Sequence, residues 1–351
     1  MAATVKTRVL IISDTHCAGL REQEDQDPPV LPFKAPLPSA DLLIHCGDLT
    51  FTGTEDEYHQ TLDMLQEIDA PVKLVIAGNH DLTLDRDFVM NHLEAGGASG
   101  SWEGVQSKDE ADSMVKQARS LWLDDNGRAK TEGVTFLEEG VHEIDLANGA
   151  TVNVYASPYT PEFCDWAYAY GKDEDRFNSQ ASTLWDAKNI AAHPVPSFSS
   201  SERPIDICIT HGPPYNRLDK VERRISAGCP HLLKAVMRAR PLIHCFGHIH
   251  EGWGAELVDW SPTANEIATA SYSTREWQQT GWQAGVQKVD KLKIDLNAAK
   301  EQHGVLVDLT SSGSTSLQRG ATTMIVNASI MNVMYRPANA PWVVDVDLPK
   351  R

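Results

Sequence analysis

Side chains able to bind a metal ion recur in this 351-residue chain at the ends of short apolar runs. Val9-Leu10-Ile11-Ile12 leads to Asp14-Thr15-His16, and Leu42-Leu43-Ile44 leads through His45-Cys46 to Gly47-Asp48. Leu74-Val75-Ile76 leads to Gly78-Asn79-His80-Asp81, and Ile205-Asp206-Ile207-Cys208-Ile209 leads to His211. Leu242-Ile243-His244-Cys245-Phe246 leads to Gly247-His248-Ile249-His250. Imidazoles, carboxylates and an amide oxygen without a thiolate suit borderline or hard divalent ions such as Mn²⁺, Fe²⁺ or Zn²⁺. The set exceeds the need of one ion. A carboxylate can bridge two ions about 3.5–4 Å apart, a pair that lowers the pKa of water and clamps attacking and leaving oxygens. That chemistry is phosphoryl transfer.

The elements that must position these groups follow from the same runs. Stretches of this length bounded by glycine, proline or polar residues read as buried strands. In open α/β sheets, ligands gather beyond the carboxyl ends of the strands. A helix is predicted from Thr54 to Ile68, capped by Thr54 with Glu57 three residues on and Tyr58, Leu62, Leu65 and Ile68 as its stripe. A second helix, from Pro230 to Arg240, points Leu232, Leu233, Val236 and Met237 inward. Val134-Thr135-Phe136-Leu137, Thr151-Val152-Asn153-Val154-Tyr155, Met324-Ile325-Val326 and the run from Trp342 to Leu348 read as further strands, the last closing a β-sandwich. Strand texture at both ends argues for one α/β domain over 1–351, with surface insertions near 18–40, 86–131 and 259–304.

Composition narrows the partners. A net charge of −18 disfavours nucleic acid and anionic membranes. No apolar stretch approaches the roughly 20 residues needed to cross a bilayer. The start runs directly into the first strand, which leaves no room for a signal peptide and sets the expectation of a cytoplasmic protein. Cys17, Cys46, Cys164, Cys208, Cys229 and Cys245 have neither C-x-x-C spacing nor disulfide-framework density, and read as free thiols. Asn327-Ala328-Ser329 fits the glycosylation sequon, which without secretion is incidental.

Asp14-x-His16, Gly47-Asp48, Gly78-Asn79-His80-Asp81, His211 and Gly247-His248-x-His250 resemble, in order, the motif set of the calcineurin-like metallophosphoesterases. The segments Ser157–Phe163 with Asp165-Trp166-Ala167, Thr210–Pro214, and Asn327–Ser329 with Tyr335-Arg336-Pro337 look closest to its metallophosphoesterase-domain (fetal-brain-type) branch. The resemblance implies two packed mixed β-sheets flanked by helices. It also implies two divalent ions, Mn²⁺ foremost with Fe or Zn as alternatives. Asp14, His16 and His250 would hold the first, Asn79, His211 and His248 the second, with Asp48 bridging and a metal-bridging hydroxide as nucleophile. His80 would serve the transition state or the leaving oxygen instead of a metal, and Asp81 would orient or charge-tune His80.

Protein phosphatases of this kind carry an arginine soon after the bridging aspartate. Here the stretch is Leu49-Thr50-Phe51-Thr52-Gly53. A bidentate guanidinium suits a phosphomonoester dianion, so the expected substrate is a small phosphodiester, nucleotides and cyclic nucleotides among the candidates. A phosphomonoesterase or protein phosphatase, and a low-activity metal-binding scaffold, are the alternatives. Arg217, Arg223 and Arg224 are the local substitutes to examine, with a solvated face as the plainer reading. His45 and His244 read as hydrogen-bonded core histidines. The aromatics Tyr159, Phe163, Trp166, Tyr168 and Tyr170 could stack on a base or simply pack, and Trp253 sits where a rim residue would.

Overall fold

The structure, a computed structural model, describes residues 3–20, 32–95, 107–313, 315 and 317–351. The strands of its two large sheets are, in chain order, β1 (Thr4–Ile12), β2 (Leu42–His45), β3 (Val72–Val75), β4 (Val134–Phe136), β5 (Gly140–Asp145), β6 (Thr151–Ser157) and β7 (Ile207–Thr210). They continue as β8 (Ile243–Phe246), β9 (Gly254–Trp260), β10 (Val286–Lys291), β11 (Val305–Asp308), β12 (Thr322–Asn327) and β13 (Trp342–Pro349). The helices that matter to the site are α1 (Glu55–Gln66), α2 (Arg86–Glu94), α3 (Lys108–Leu123) and α4 (Pro230–Ala239).

One sheet has the order β11-β13-β1-β2-β3-β4 and the other β10-β9-β12-β8-β7-β6-β5. Both are mixed. In the first, β13 runs against β1 while β1, β2, β3 and β4 are parallel. In the second, β6, β7, β8 and β12 are parallel, with antiparallel partners toward the edges. The fold is therefore α/β, two packed mixed sheets flanked by helices.

Alternation along β1 shows why the sheets stack. Val9 and Ile11 face the other sheet, meeting Val154, Ile209, Cys245 and Val326 in the central core, while Leu10 and Ile12 face the helical layer. Strands buried on both faces read as continuous apolar runs, which is how they announced themselves. The two functional motif sets start level because the strands are in register: Ile12 lies beside His45 and His45 beside Val75, and Ile209 lies beside Cys245 and Cys245 beside Val326. An isolated parallel bridge between Ser13 and Ser329 joins the two sheets at this rim.

The helices at Thr54 and Pro230 form as expected. The Thr54 side chain accepts from the Glu57 amide, Glu57 answers with its carboxylate, and Tyr58, Leu62, Leu65 and Ile68 are buried. Leu232, Leu233, Val236 and Met237 of α4 are buried against the second sheet. The stretches expected as surface insertions do more than decorate. Within 86–131, α2 and α3 bury Val89, Ala111, Val115, Ala118 and Trp122 against the first sheet. Within 259–304, Trp277 is buried over the second sheet and β10 forms its edge. Polar residues on the outer faces of these helices and of β10 hid this role. Of 18–40, residues 21–31 lie outside the described residues, while Leu20, Phe33 and Leu37 pack into the first sheet's outer core.

Candidate metal centre

The loops after β1, β2 and β3 are laced together before any ligand is considered. The Asp14 amide donates to Gly47 O at 2.9 Å and the His16 amide to Asp48 O at 3.2 Å. Asp14, His16, Asp48 and His248 all have left-handed backbones, with φ of +52°, +41°, +54° and +66°. For non-glycine residues such conformations cost on the order of 1–3 kcal/mol each, and they persist where surroundings over-determine them, commonly at functional sites. Gly78 and Gly247 are dictated by the same crowding: a Cβ at Gly78 would collide with Asp48 and His211, and one at Gly247 with Asp14 and Ser13.

Three imidazoles repeat one arrangement. Nδ1 of His16 donates to Thr50 O at 2.8 Å, Nδ1 of His211 to Cys46 O at 2.9 Å and Nδ1 of His250 to Asn332 O at 3.1 Å. A carbonyl on Nδ1 fixes the proton there and leaves Nε2 as a lone pair, the usual way of preparing a metal-binding histidine. Each Nε2 then faces oxygen acceptors. His16 Nε2 lies 3.6 Å from Asp48 Oδ2 and has no hydrogen-bond partner although buried. His250 Nε2 lies 3.4 Å from Asp14 Oδ1. His211 Nε2 lies 2.9 Å from Asn79 Oδ1 and 3.2 Å from Asp48 Oδ1. Lone pairs converging in this way need a cation or a proton between them, so the residues present fit divalent ions.

Asp48 is the common member, with one carboxylate oxygen toward His16 and the other toward His211. Two of the sets able to enclose an ion are Asp14 with His16 and His250, and Asp14 with Asp48 and His211. His248 places its ring edge-on to His211, centroids 5.1 Å apart. All seven residues expected as ligands are thus brought to one rim. His80 joins them: it can complete a set with His16 and Asp48, and its Nδ1 donates to Phe51 O at 2.8 Å, leaving Nε2 open.

Asp81 departs from its expected part. Its carboxylate makes no hydrogen bond to the His80 ring. It instead accepts from the amides of Gly78 (2.7 Å), Thr50 (3.1 Å) and Leu49 (3.2 Å) and from the Thr50 hydroxyl (2.8 Å). The reason is local. The turn after Gly78 folds Asp81 beneath the two ligand loops, where their amides have no other acceptor, so it staples the loops and reaches His80 only through backbone.

The electrostatics describe a site waiting for positive charge. Burial pushes His16 and His248 down to about 4, against the pull of Asp48. Burial also opposes charge on His211, but the Asp48 carboxylate outweighs it and raises His211 to about 9. Asp48 itself is held well below the carboxylate range, burial being overcome by His211, His80 and His16. Asp81 rises to about 7, through burial and then the nearby Asp48 charge. His45 and His244 are pushed to about 3 by burial and hydrogen-bond to the hydroxyls of Thr15, between Asp14 and His16, and of Thr210, next to His211. They are core supports, as their strand positions suggested.

Around the rings lies an aromatic wall that motif reasoning only partly found. Phe51 stacks on His16 at 5.1 Å, Trp166 lies on His80 at 4.0 Å, and Tyr335 meets His16 and His250 at 5.0 and 5.2 Å. Of the aromatics proposed for stacking, Tyr168 and Tyr170 are buried and Tyr159 lies under the Arg176 guanidinium, which leaves Trp166 on His80 and Phe163, exposed and stacked on no ring of the described residues. Trp253 is no rim residue: its indole donates to Ala340 O at 3.1 Å and packs on Trp342. Arg217 is buried in an ion pair with Glu256 at 3.0 Å, and Arg223 and Arg224 sit on an exposed turn. Ser329 was missed. Its hydroxyl donates to Asp14 Oδ2 at 2.9 Å, a part its strand-end position after Met324-Ile325-Val326 could have signalled.

Histidines and carboxylates gathered at the carboxyl ends of strands from two packed sheets define a metallophosphoesterase. Comparison with known proteins makes the class particular. The model of the calcineurin-like phosphoesterase family matches residues 7–252, and the chain belongs to that family. Metallophosphoesterase domain-containing protein 1 of Homo sapiens and of Mus musculus is 25% identical over 346 residues, 98% of this chain and 72% of its own. A probable rhamnogalacturonate lyase C of Emericella nidulans is 30% identical over 255 residues, 72% of this chain. This chain spans only 18% of that lyase, so the activity in its name is not carried over. Among solved structures, a purple acid phosphatase from yellow lupin seeds aligns over 93% of this chain and 44% of its own, with 10% identity and a TM-score of 0.35. No helix of the described residues is long and apolar enough to cross a membrane.

Proposed function

We propose that this protein is a two-metal phosphodiesterase acting on small phosphate diesters, nucleotide-like diesters such as cyclic nucleotides among them. Asp14, His16 and His250 would hold one divalent ion and Asn79, His211 and His248 the other, with Asp48 shared; Mn²⁺ is the first ion to try, then Fe²⁺ and Zn²⁺. Such ions supply Lewis acidity toward phosphoryl oxygens and a bound water acidic enough to ionise near neutral pH.

The chain's own groups do the rest. Backbone carbonyls of Cys46, Thr50 and Asn332 keep the imidazoles in the ligand tautomer. His80, anchored through Nδ1 by Phe51 O, presents Nε2 to hold or pass the proton at the leaving oxygen. Phe51, Trp166 and Tyr335 exclude water and offer flat apolar faces to the organic half of an ester.

The observation that carries the diester reading is the wall itself. Where a guanidinium would answer a dianion, residues 49–53 supply Phe51, and Arg217 is already committed to Glu256. A diester carries one negative charge and needs no such fork. The test is to reconstitute purified protein with Mn²⁺ and compare an aryl phosphodiester with the matching monoester. A higher kcat/KM on the diester is expected. Strong monoester preference would overturn the substrate class, and hydrolysis of neither would favour a metal-binding scaffold.

A further inference from the structure

The loop 330–340 carries a tyrosine to the mouth of the metal centre and fixes it there. Ile330 donates from its amide to Ser13 O at 2.8 Å, at the bridge between the sheets. Asn332 accepts from a ligand, His250, through its carbonyl, and its side-chain oxygen accepts the amides of Met334 (2.9 Å) and Arg336 (3.2 Å). Asn339 donates to Ser329 O at 2.9 Å and to Met331 O at 3.2 Å. The tip of this tied loop is Tyr335, with φ of +53°. A left-handed backbone is rare for a bulky aromatic residue.

Packing does not explain that cost. Tyr335 remains 45% exposed, following Val333 and Met334 at 56% and 71%. Its ring nevertheless stands against His16, His250, Phe51 and His80, at centroid distances of 5.0, 5.2, 5.8 and 6.3 Å. Its hydroxyl makes no hydrogen bond with any described residue.

Building on the phosphodiesterase reading, we propose that Tyr335 is a substrate-binding residue whose hydroxyl donates a hydrogen bond to a nonbridging phosphoryl oxygen of the bound diester. A single neutral donor matches a phosphodiester monoanion, as a bidentate guanidinium matches a dianion. The half-exposed ring above it leaves a flat face for the ester's organic group. The strained, tied loop holds the donor in position before substrate arrives.

Tyr335→Phe tests this, because it keeps the ring and its packing and removes only the hydroxyl. Two readouts are taken on Mn²⁺-loaded protein: titration calorimetry with a slowly hydrolysed phosphorothioate diester, and turnover of an aryl phosphodiester. Wild-type metal content with roughly three- to tenfold weaker binding and lower kcat/KM is expected, the loss of one neutral hydrogen bond. Binding and turnover equal to wild type would overturn the assignment, as would a wild-type protein that does not bind the diester at all. A wild-type protein that binds the diester without hydrolysing it would defeat the phosphodiesterase reading alone. The comparison of the two dissociation constants would then still decide the role of Tyr335.

Discussion

Asp48 and His80 are neighbours in the centre with opposite dependences. Asp48 touches both proposed ligand groups and also accepts the His80 amide at 2.9 Å, so its charge and position would serve both ions at once. Replacing it by asparagine keeps the shape and removes the charge that raises His211. Asp48→Asn is expected to lose bound metal and turnover together while its circular dichroism stays native. His80→Ala removes a ring anchored from outside the cluster by Phe51 O, so metal content should remain near wild type while kcat falls roughly a hundredfold or more, the scale of a lost general acid. Metal analysis beside steady-state kinetics separates the two. A fully active Asp48→Asn, or a His80→Ala variant depleted of metal, would show that these roles are misassigned.

Between strands and ligands stands a device made from one helix end. Glu57 completes the cap of α1, and its carboxylate also accepts the amides of Phe51 and Thr52, each at 3.2 Å, and that of Thr54 at 2.9 Å. The loop it gathers supplies Thr50 O to His16 and Phe51 O to His80. The cap therefore stabilises the helix and aims two histidines. Glu57→Ala is expected to cost about 1 kcal/mol in a denaturant melt, the usual loss for a cap, and also to weaken Mn²⁺ binding. A variant with the same stability loss and unchanged metal affinity would confine Glu57 to the helix. This capping box was legible in the sequence because its signal is local, as were the strand-end ligands, each announced by an apolar run. The carbonyls that orient the rings were not, since main-chain oxygens carry no residue code. Ser329 was half legible: the run Met324-Ile325-Val326 marks its strand end, but nothing marks its partner Asp14, 315 positions away. The edge strands β5, β10 and β11 escaped as well, because half or more of their residues face water and dilute the apolar pattern.

For the molecule as a whole, the same histidines make stability depend on pH and on metal, with signs that can be worked out. His45 and His244 sit at about 3 in the folded protein, and an unfolded histidine titrates near 6.5. The unfolded chain gains protons that the native core refuses, so their contribution is complete above pH 6.5 and is lost as pH falls toward about 3. His16 and His248, at about 4, act in the same direction. His211 acts oppositely. Without metal it holds its proton up to about 9, so its contribution is present below 6.5 and is lost as pH rises through 9. In the proposed centre a divalent ion would replace that proton between His211, Asn79 and Asp48, and binding to the native state alone would stabilise it. Thermal melts at fixed ionic strength, which holds the screening of the −18 net charge constant, should therefore show an acid decline with or without metal. An alkaline decline toward pH 9 is expected only in chelated protein, and Mn²⁺ should raise Tm more at pH 8 than at pH 6. Alkaline declines of equal size in the chelated and loaded samples would mean that no ion takes the place of the His211 proton, and the second half of the centre would have to be withdrawn.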